Sequence, residues 1–338
     1  MAGGAAILNA GQLLRLVQPE EEGQRLDRWL RTRFPALSFA RLHKLLRTGQ
    51  IRVDGRRARG DLRLRAGQQI RIPPALLALE ADRSAPPAPD PVWRRWLVER
   101  IRYEDEALWV VDKPAGLAVQ GGPKTPHHLD RMLTALATDG RRPRLVHRLD
   151  RDTAGLLLVA RDAAAARALS QLFRSGRVRK LYWAVVLGLP PRAVMTVDLP
   201  LAKQGAPGRA RVVPNAPGAK PARTRLRVVG RAGKVGAWLA LEPETGRTHQ
   251  LRAHLAALGC PILGDRKYGG DAAVRADAPA GLMLQAMELD FPHPLRGGRV
   301  RVRGEAAPHL REALAWLGFS PEDPPLPPWL DDLPGRTA

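Results

Sequence analysis

The chain of 338 residues is 44% apolar, enough to bury one substantial core and a smaller one, which excludes disorder as the default state. Its 55 Lys and Arg against 33 Asp and Glu leave a formal net charge of +22, a self-repulsion that points to a polyanionic partner, nucleic acid above all. No run of about 18 apolar residues and no basic lead into an apolar segment occurs, so a membrane partner is excluded and a cytoplasmic protein is expected.

Residues 1–22 lack periodicity and read as a flexible lead-in. Leu26, Trp29, Leu30 and Phe34 then fall on one helical face, and Pro35 stops that helix. Ser38 is suited to cap a second helix whose Leu42, Leu45 and Leu46 face inward, while Arg41, Lys44 and Arg47 recur every third residue on another side. Gly49 ends it. Ile51 and Val53 alternate into Asp54-Gly55, a tight-turn signal, and Leu62, Leu64, Ile70 and Ile72 supply further short strands. Between Gly23 and Pro74, 14 Lys and Arg meet 3 Asp and Glu, a net of +11 that is half of the whole chain's excess.

Residues 24–73 resemble the small RNA-binding module shared by ribosomal small-subunit protein four and tyrosyl-tRNA synthetases. The likeness is carried by Arg25-Leu26-Asp27, the basic helix through Leu45-Leu46, and the turn Gly49-x-Ile51-x-Val53-Asp54-Gly55. It implies an RNA grip over residues 23–75, with Arg41, Lys44, Arg47 and Arg52 as contacts.

Residues 76–100 read as a Pro-rich linker, since Pro86, Pro87, Pro89 and Pro91 favour an extended connection. From residue 101 to 318, short β-rich runs alternate with occasional helices. Leu156 to Ala160 reads as a buried strand, Ala163 to Phe173 as a helix capped by Asp162, and Leu181 to Leu187 and Ala237 to Glu242 as further strands. The expected fold class is α+β, a mainly antiparallel mixed sheet flanked by helices and loops. Residues 202–222, rich in Gly, Pro, Ala and basic side chains, are expected to form a mobile basic loop without regular structure. Cys260, alone between Gly259 and Pro261, reads as a small core or turn residue, unable to form an internal disulfide or a thiolate cluster for zinc. Residues 319–338 read as a peripheral tail.

The most informative stretch is Leu145-Val146-His147-Arg148-Leu149-Asp150-Arg151-Asp152-Thr153-Ala154-Gly155-Leu156-Leu157, which sets a carboxylate in an Arg-flanked turn directly before an apolar strand. A surface Asp–Arg pair would leave the same local pattern, and context decides between the two. Upstream stands Val111-Asp112-Lys113-Pro114-Ala115-Gly116, followed by Val119-Gln120-Gly121-Gly122; downstream stand Lys180-Leu181-Tyr182-Trp183-Ala184 and Glu244-Thr245-Gly246-Arg247-Thr248-His249-Gln250-Leu251-Arg252-Ala253-His254-Leu255, running on to Gly264-Asp265-Arg266-Lys267-Tyr268-Gly269-Gly270. In this order the motifs resemble those of the pseudouridine synthases that act on large-subunit ribosomal RNA, closest to the C-type enzymes.

The resemblance implies isomerisation of uridine to pseudouridine without a cofactor, with Asp150 as the essential carboxylate, Arg252 as its ion partner and Tyr182 against the base. Lys113, His147, Arg148 and Arg247 are expected to hold substrate. A carboxylate can open this reaction either by attacking ribose C1′ or by removing the 2′ proton. No metal is expected, because no Cys or compact carboxylate cluster accompanies His147, His249 and His254. The rivals are a non-catalytic RNA-binding ribosome-assembly factor and a metal-dependent nuclease, which would want clustered carboxylates. A monomer acting on RNA is expected.

Overall fold

The computed structural model describes residues 7–9, 12–34, 37–76, 91–121, 125, 127–138, 141–206 and 210–320. The chain divides into two compact units, Met1–Ala88 and Pro89–Ala338.

In the first unit, helices Leu26–Arg33 and Phe39–Arg47 bury Leu26, Trp29, Leu30, Leu42, Leu45 and Leu46 at one helical face each. The Ser38 hydroxyl caps the second helix by accepting the Arg41 N–H. They accompany a sheet of β1 (Ile7–Asn9), β2 (Gln12–Leu16), β3 (Arg52–Val53), β4 (Arg56–Arg57) and β5 (Gln69–Ile72), ordered β1-β2-β5-β3-β4. Asp54 and Gly55 both take positive φ, 47° and 74°, which gives the two-residue turn the twist that β3 and β4 need. The Asp54 carboxylate then accepts the Gln69 N–H at 2.8 Å and tethers the turn to β5.

The expected lead-in at residues 1–22 is corrected here: β2 pairs antiparallel with β5, and Val17 is buried. So short a strand carries too little alternation to be seen until its partner strand is placed beside it.

The second unit is built on a ten-stranded sheet. Its strands are β6 (Ile101–Glu104), β7 (Leu108–Lys113), β8 (Arg144–Leu145), β9 (Ala154–Ala160), β10 (Arg179–Leu187), β11 (Val194–Asp198), β14 (Arg223–Ala232), β15 (Gly236–Pro243), β16 (Leu284–Pro292) and β17 (Arg299–Arg303). Leu201–Gln204 and Arg211–Pro214 form a separate hairpin, β12 and β13. The main path runs β11-β14-β15-β10-β16-β9-β7-β6, and β9 against β16 is its parallel pair. The fold class is thus α+β with a mainly antiparallel mixed sheet.

Strand β9 is buried along its whole length because both faces are covered. Leu156, Leu158 and Ala160 pack with Leu169 and Leu172 of helix Ala163–Arg174, while Leu157 and Val159 join the larger core with Trp183 and Trp238. Cys260 is buried in that core.

Three further expectations change. The Pro-rich linker assigned to residues 76–100 ends early, since Pro91–Val98 is a helix with Leu97 buried; a proline at the first helical position lacks only an N–H that would have no partner there. Residues 77–90, with Pro86, Pro87 and Pro89, lie outside the described residues. The basic segment 202–222, expected to be irregular, contains the β12–β13 hairpin. Its Leu201 and Val212 pack with Ala222, Ala253 and Tyr268, apolar contacts that sequence composition hides. The tail boundary moves as well, because Phe319 packs against Trp238 with ring centroids 6.2 Å apart; residues 321–338 lie outside the described residues.

Candidate active site

Asp150 lies in the loop between β8 and β9, and the Thr153 N–H closes a turn on its carbonyl at 3.3 Å. A loop that enters a fully buried strand inherits that strand's rigidity. Gly155 makes the entry possible: at φ +104° it lies so close to β16 that a Cβ would meet the Ala286 carbonyl oxygen at 2.1 Å. The glycine of the His-Arg-Leu-Asp segment is therefore a packing requirement.

Lys113, expected to hold substrate, has another task. Its fully buried ammonium donates to the carbonyls of Pro114 (2.8 Å), Leu117 (2.9 Å) and Arg151 (3.0 Å), which fastens the end of β7 to the Asp150 loop. Arg151 returns the tie by donating to the Gly116 carbonyl at 3.1 Å. Burial draws the Lys113 pKa down to about 8 against the opposing charges of Asp152 and Asp150, so the ammonium form persists at neutral pH.

Asp150, Tyr182, His249 and Arg252 line one cleft of about 580 Å³. The two Asp150 oxygens each face one basic group at 3.8 Å: Oδ1 faces His249 Nε2 and Oδ2 faces Arg252 Nη1. Both separations exceed a hydrogen bond, and they leave the lone pairs of the carboxylate open to the cleft.

The expected Arg252–Asp150 pairing is present only as this longer contact. Arg252 is instead clamped by Asp265, Nε to Oδ2 at 2.8 Å and Nη2 to Oδ1 at 2.7 Å, in a buried bidentate pair. Asp265 also accepts the Tyr268 N–H at 3.2 Å as the cap of helix Arg266–Gly269. The guanidinium is thereby oriented by one aspartate and presented to another. Its charge is more than secured, since hydrogen bonding and charge from Asp265 outweigh the desolvation that opposes them.

His249 does not share the helix of Arg252. It precedes helix Gln250–Ala257 in a left-handed conformation (φ 51°, ψ 26°), which turns its ring into the cleft. Its Nδ1 lies 2.8 Å from the Tyr268 hydroxyl. Burial lowers the His249 pKa, with Asp150 pulling the other way.

Tyr182 occupies β10 at a register shift between Leu181 and Tyr182, and only 9% of its surface is exposed. Burial, with the Asp150 charge, pushes its hydroxyl above the usual range, so a neutral phenol faces the cleft. Lys180, not singled out from the sequence, also lines the cleft, and burial brings its pKa to about 8 against the pull of Glu242.

Of the remaining expected substrate ligands, Arg148 and Arg247 are exposed at the cleft, with Arg247 Nε donating to the Pro221 carbonyl at 2.9 Å. His147 is corrected. Its Nε2 accepts the Leu158 N–H at 2.8 Å, its ring stacks on Phe173 at 4.5 Å, and burial lowers its pKa to about 3, so it is a neutral latch between the loop and β9. His254 is likewise engaged, with Thr224 Oγ1 and the Leu199 carbonyl each 3.0 Å away. In the first unit, Arg41, Lys44 and Arg47 are exposed, whereas Arg52 donates to the Gly49 and Gly55 carbonyls and braces its own turn.

Asp265 and Tyr268 carried a signal in the Gly264-to-Gly270 run, but nothing in the sequence says which carboxylate a given arginine meets.

Residues 107–257 match the family description RNA pseudouridylate synthase. The chain is 34% identical to the ribosomal large subunit pseudouridine synthase C of Vibrio cholerae over 88% of its own length and 94% of that protein. It is 35% identical to the enzyme of the same name from Escherichia coli, over 89% and 95%. Among solved structures it resembles human RNA pseudouridylate synthase domain containing 4 (TM-score 0.56, 27% identity, 67% of this chain and 96% of that one). It also resembles human RNA pseudouridylate synthase domain containing 1 (TM-score 0.52, 31% identity, 62% and 85%). Likeness over nearly the full length of such relatives, on a fold that sets an open carboxylate between His249 and Arg252, means that the chain belongs to the RNA pseudouridylate synthase family and isomerises uridine in RNA.

Proposed function

We propose that the substrate is large-subunit ribosomal RNA and that Asp150 opens the reaction. The observation that carries the second half is the state of its carboxylate, which faces His249 and Arg252 at 3.8 Å without accepting a hydrogen bond from either. Attack on C1′ and abstraction of the 2′ proton both need such an open oxygen. The Asp265 carboxylate is saturated by contrast, and serves Arg252.

The bond from uracil N1 to ribose C1′ breaks, the base turns, C5 joins C1′, and the C5 hydrogen leaves as a proton while N1 regains one. Tyr182 offers a flat ring to the base and a neutral hydroxyl to this proton traffic. The target atoms are inaccessible in a stacked helix, so the base is flipped into the cleft at a cost of a few kcal/mol. Phosphate contacts from Arg148, Arg247 and the first unit offset that cost. The first unit acts as an RNA grip through Arg41, Lys44 and Arg47, and the enzyme works as a monomer in the cytoplasm. Among the described residues no helix is long and apolar enough to cross a membrane.

The test maps pseudouridines in large-subunit RNA from cells lacking this gene, then from the same cells given wild type or Asp150→Asn. Sites that vanish and return only with wild type support both halves. Sites that persist without the gene would remove the substrate, and sites restored by Asp150→Asn would remove the carboxylate.

A further inference from the structure

His249 holds an unusual backbone for a side chain of its size. Left-handed φ costs a non-glycine residue about 1 kcal/mol, and such strain persists only where neighbours over-determine it. The neighbours do so here. The Gln250 side chain accepts from Arg247 N–H (3.1 Å) and the Thr245 hydroxyl (2.6 Å), and donates to the Arg223 carbonyl (2.9 Å) and Thr224 Oγ1 (3.0 Å). A turn braced this heavily fixes where the imidazole points.

The far side of the ring is equally constrained. The Tyr268 oxygen receives the Val212 N–H from β13 at 3.1 Å. Its own proton is then free to go to His249 Nδ1, 2.8 Å away. A neutral imidazole has one N–H, so accepting at Nδ1 puts that hydrogen on Nε2, the nitrogen facing Asp150 Oδ1. The opposite tautomer would aim a lone pair at a carboxylate.

We propose that His249 is a positioning residue for Asp150, presenting Nε2–H to Oδ1 while Arg252 faces Oδ2, and that the β12–β13 hairpin sets its tautomer through Tyr268. The hairpin is anchored for this by Leu201 and Val212, which pack with Tyr268 and Ala253. Arg211, next to Val212, stands over the Tyr268 ring at 5.4 Å, so the basic strand and the reacting carboxylate are joined by one continuous chain of contacts. The inference rests on Asp150 being the reacting group.

The test is a double-mutant cycle read by single-turnover release of tritium from RNA labelled at uracil C5, with RNA affinity measured in parallel. His249→Gly removes the imidazole and suits the positive φ, which preserves the turn. Tyr268→Phe keeps the ring and deletes the hydroxyl. We expect rate losses of about thirtyfold for His249→Gly and about tenfold for Tyr268→Phe, with affinity within about twofold. The double variant should be no slower than His249→Gly alone, because Tyr268 acts through His249. His249→Gln, whose amide donor needs no tautomer, should recover part of the rate and become indifferent to Tyr268→Phe.

Multiplying losses in the double variant would overturn the relay. So would a wild-type rate in His249→Gly, or losses matched by equal losses of affinity. Asp150→Asn in the same assay separates the two levels: if it retains activity the underlying reading fails, and if it is dead while His249→Gly is normal only the relay fails.

Discussion

The exposed helix face of the first unit and the cleft of the second use the same cations in opposite ways. Arg41, Lys44 and Arg47 are exposed, and no ion pair joins them to an acidic side chain among the described residues. Arg252 is buried, held by two hydrogen bonds to Asp265 and aimed at Asp150. Solvated cations act by number, each releasing counterions when a phosphate replaces them, and their geometry matters little. A buried guanidinium acts by direction, and its charge is tolerable only because a carboxylate shares the desolvation. Affinity should therefore follow the count of cations in the first unit, and rate should follow distances in the second.

The sharpest way to break this division is Asp150→Asn, which keeps shape and removes the carboxylate proposed to react. Tritium release should fall at least about a thousandfold with RNA affinity unchanged; a comparable loss of binding would show that the cleft also works by bulk charge. Next comes the buried pair. Arg252→Ala should lower turnover about a hundredfold and leave the uncompensated Asp265 to destabilise the fold by about 3 kcal/mol. Arg252→Met with Asp265→Leu should restore the thermal midpoint without restoring turnover, which separates packing from orientation. Recovery of both would reduce Arg252 to a structural role.

Tyr182→Phe should cost about tenfold in rate, since stacking survives and only the hydroxyl is lost. Changing Arg41, Lys44 and Arg47 together to Gln should leave the saturated rate intact and shallow the salt dependence of affinity by about two, at roughly 0.7 per phosphate on single strands. An unchanged slope would remove this helix from the RNA interface. The smallest effect is on acid stability. The folded value of about 3 for His147 lies below its unfolded value of about 6.5, so the unfolded state binds the extra proton throughout that window. Stability from this group is complete above about pH 6.5 and drains away as pH falls toward 3. Thermal melts between pH 7.5 and 5 should show the downward trend, weakened in His147→Asn.

Much of this molecule was written in local pattern. The unbroken apolar run of Leu156 to Ala160, the Asp162 cap, the Ser38 cap and the Asp54-Gly55 turn act over a few residues, where the physics is decided by neighbours along the chain. The motif order implies one site for Asp150, Tyr182 and Arg252, and all three line the same cleft. What local pattern left open were the partners. Lys113 and His147 read as substrate ligands through the family motifs they stand in, yet carbonyls and a backbone N–H brought close by β7 and β9 claim them.

The β12–β13 hairpin was lost to its Gly, Pro and basic content, since the surface it packs on, Ala253 and Tyr268, arrives from a later part of the chain. Arg252 shows the limit most clearly. The sequence, through the resemblance of its motifs, implied only that Arg252 would stand near Asp150 as its ion partner. Only the tertiary structure decided that Asp265 would hold it and that His249 would face the other oxygen, because a charge taken out of water must find its partner in space, and spacing along a chain does not say which carboxylate will be there.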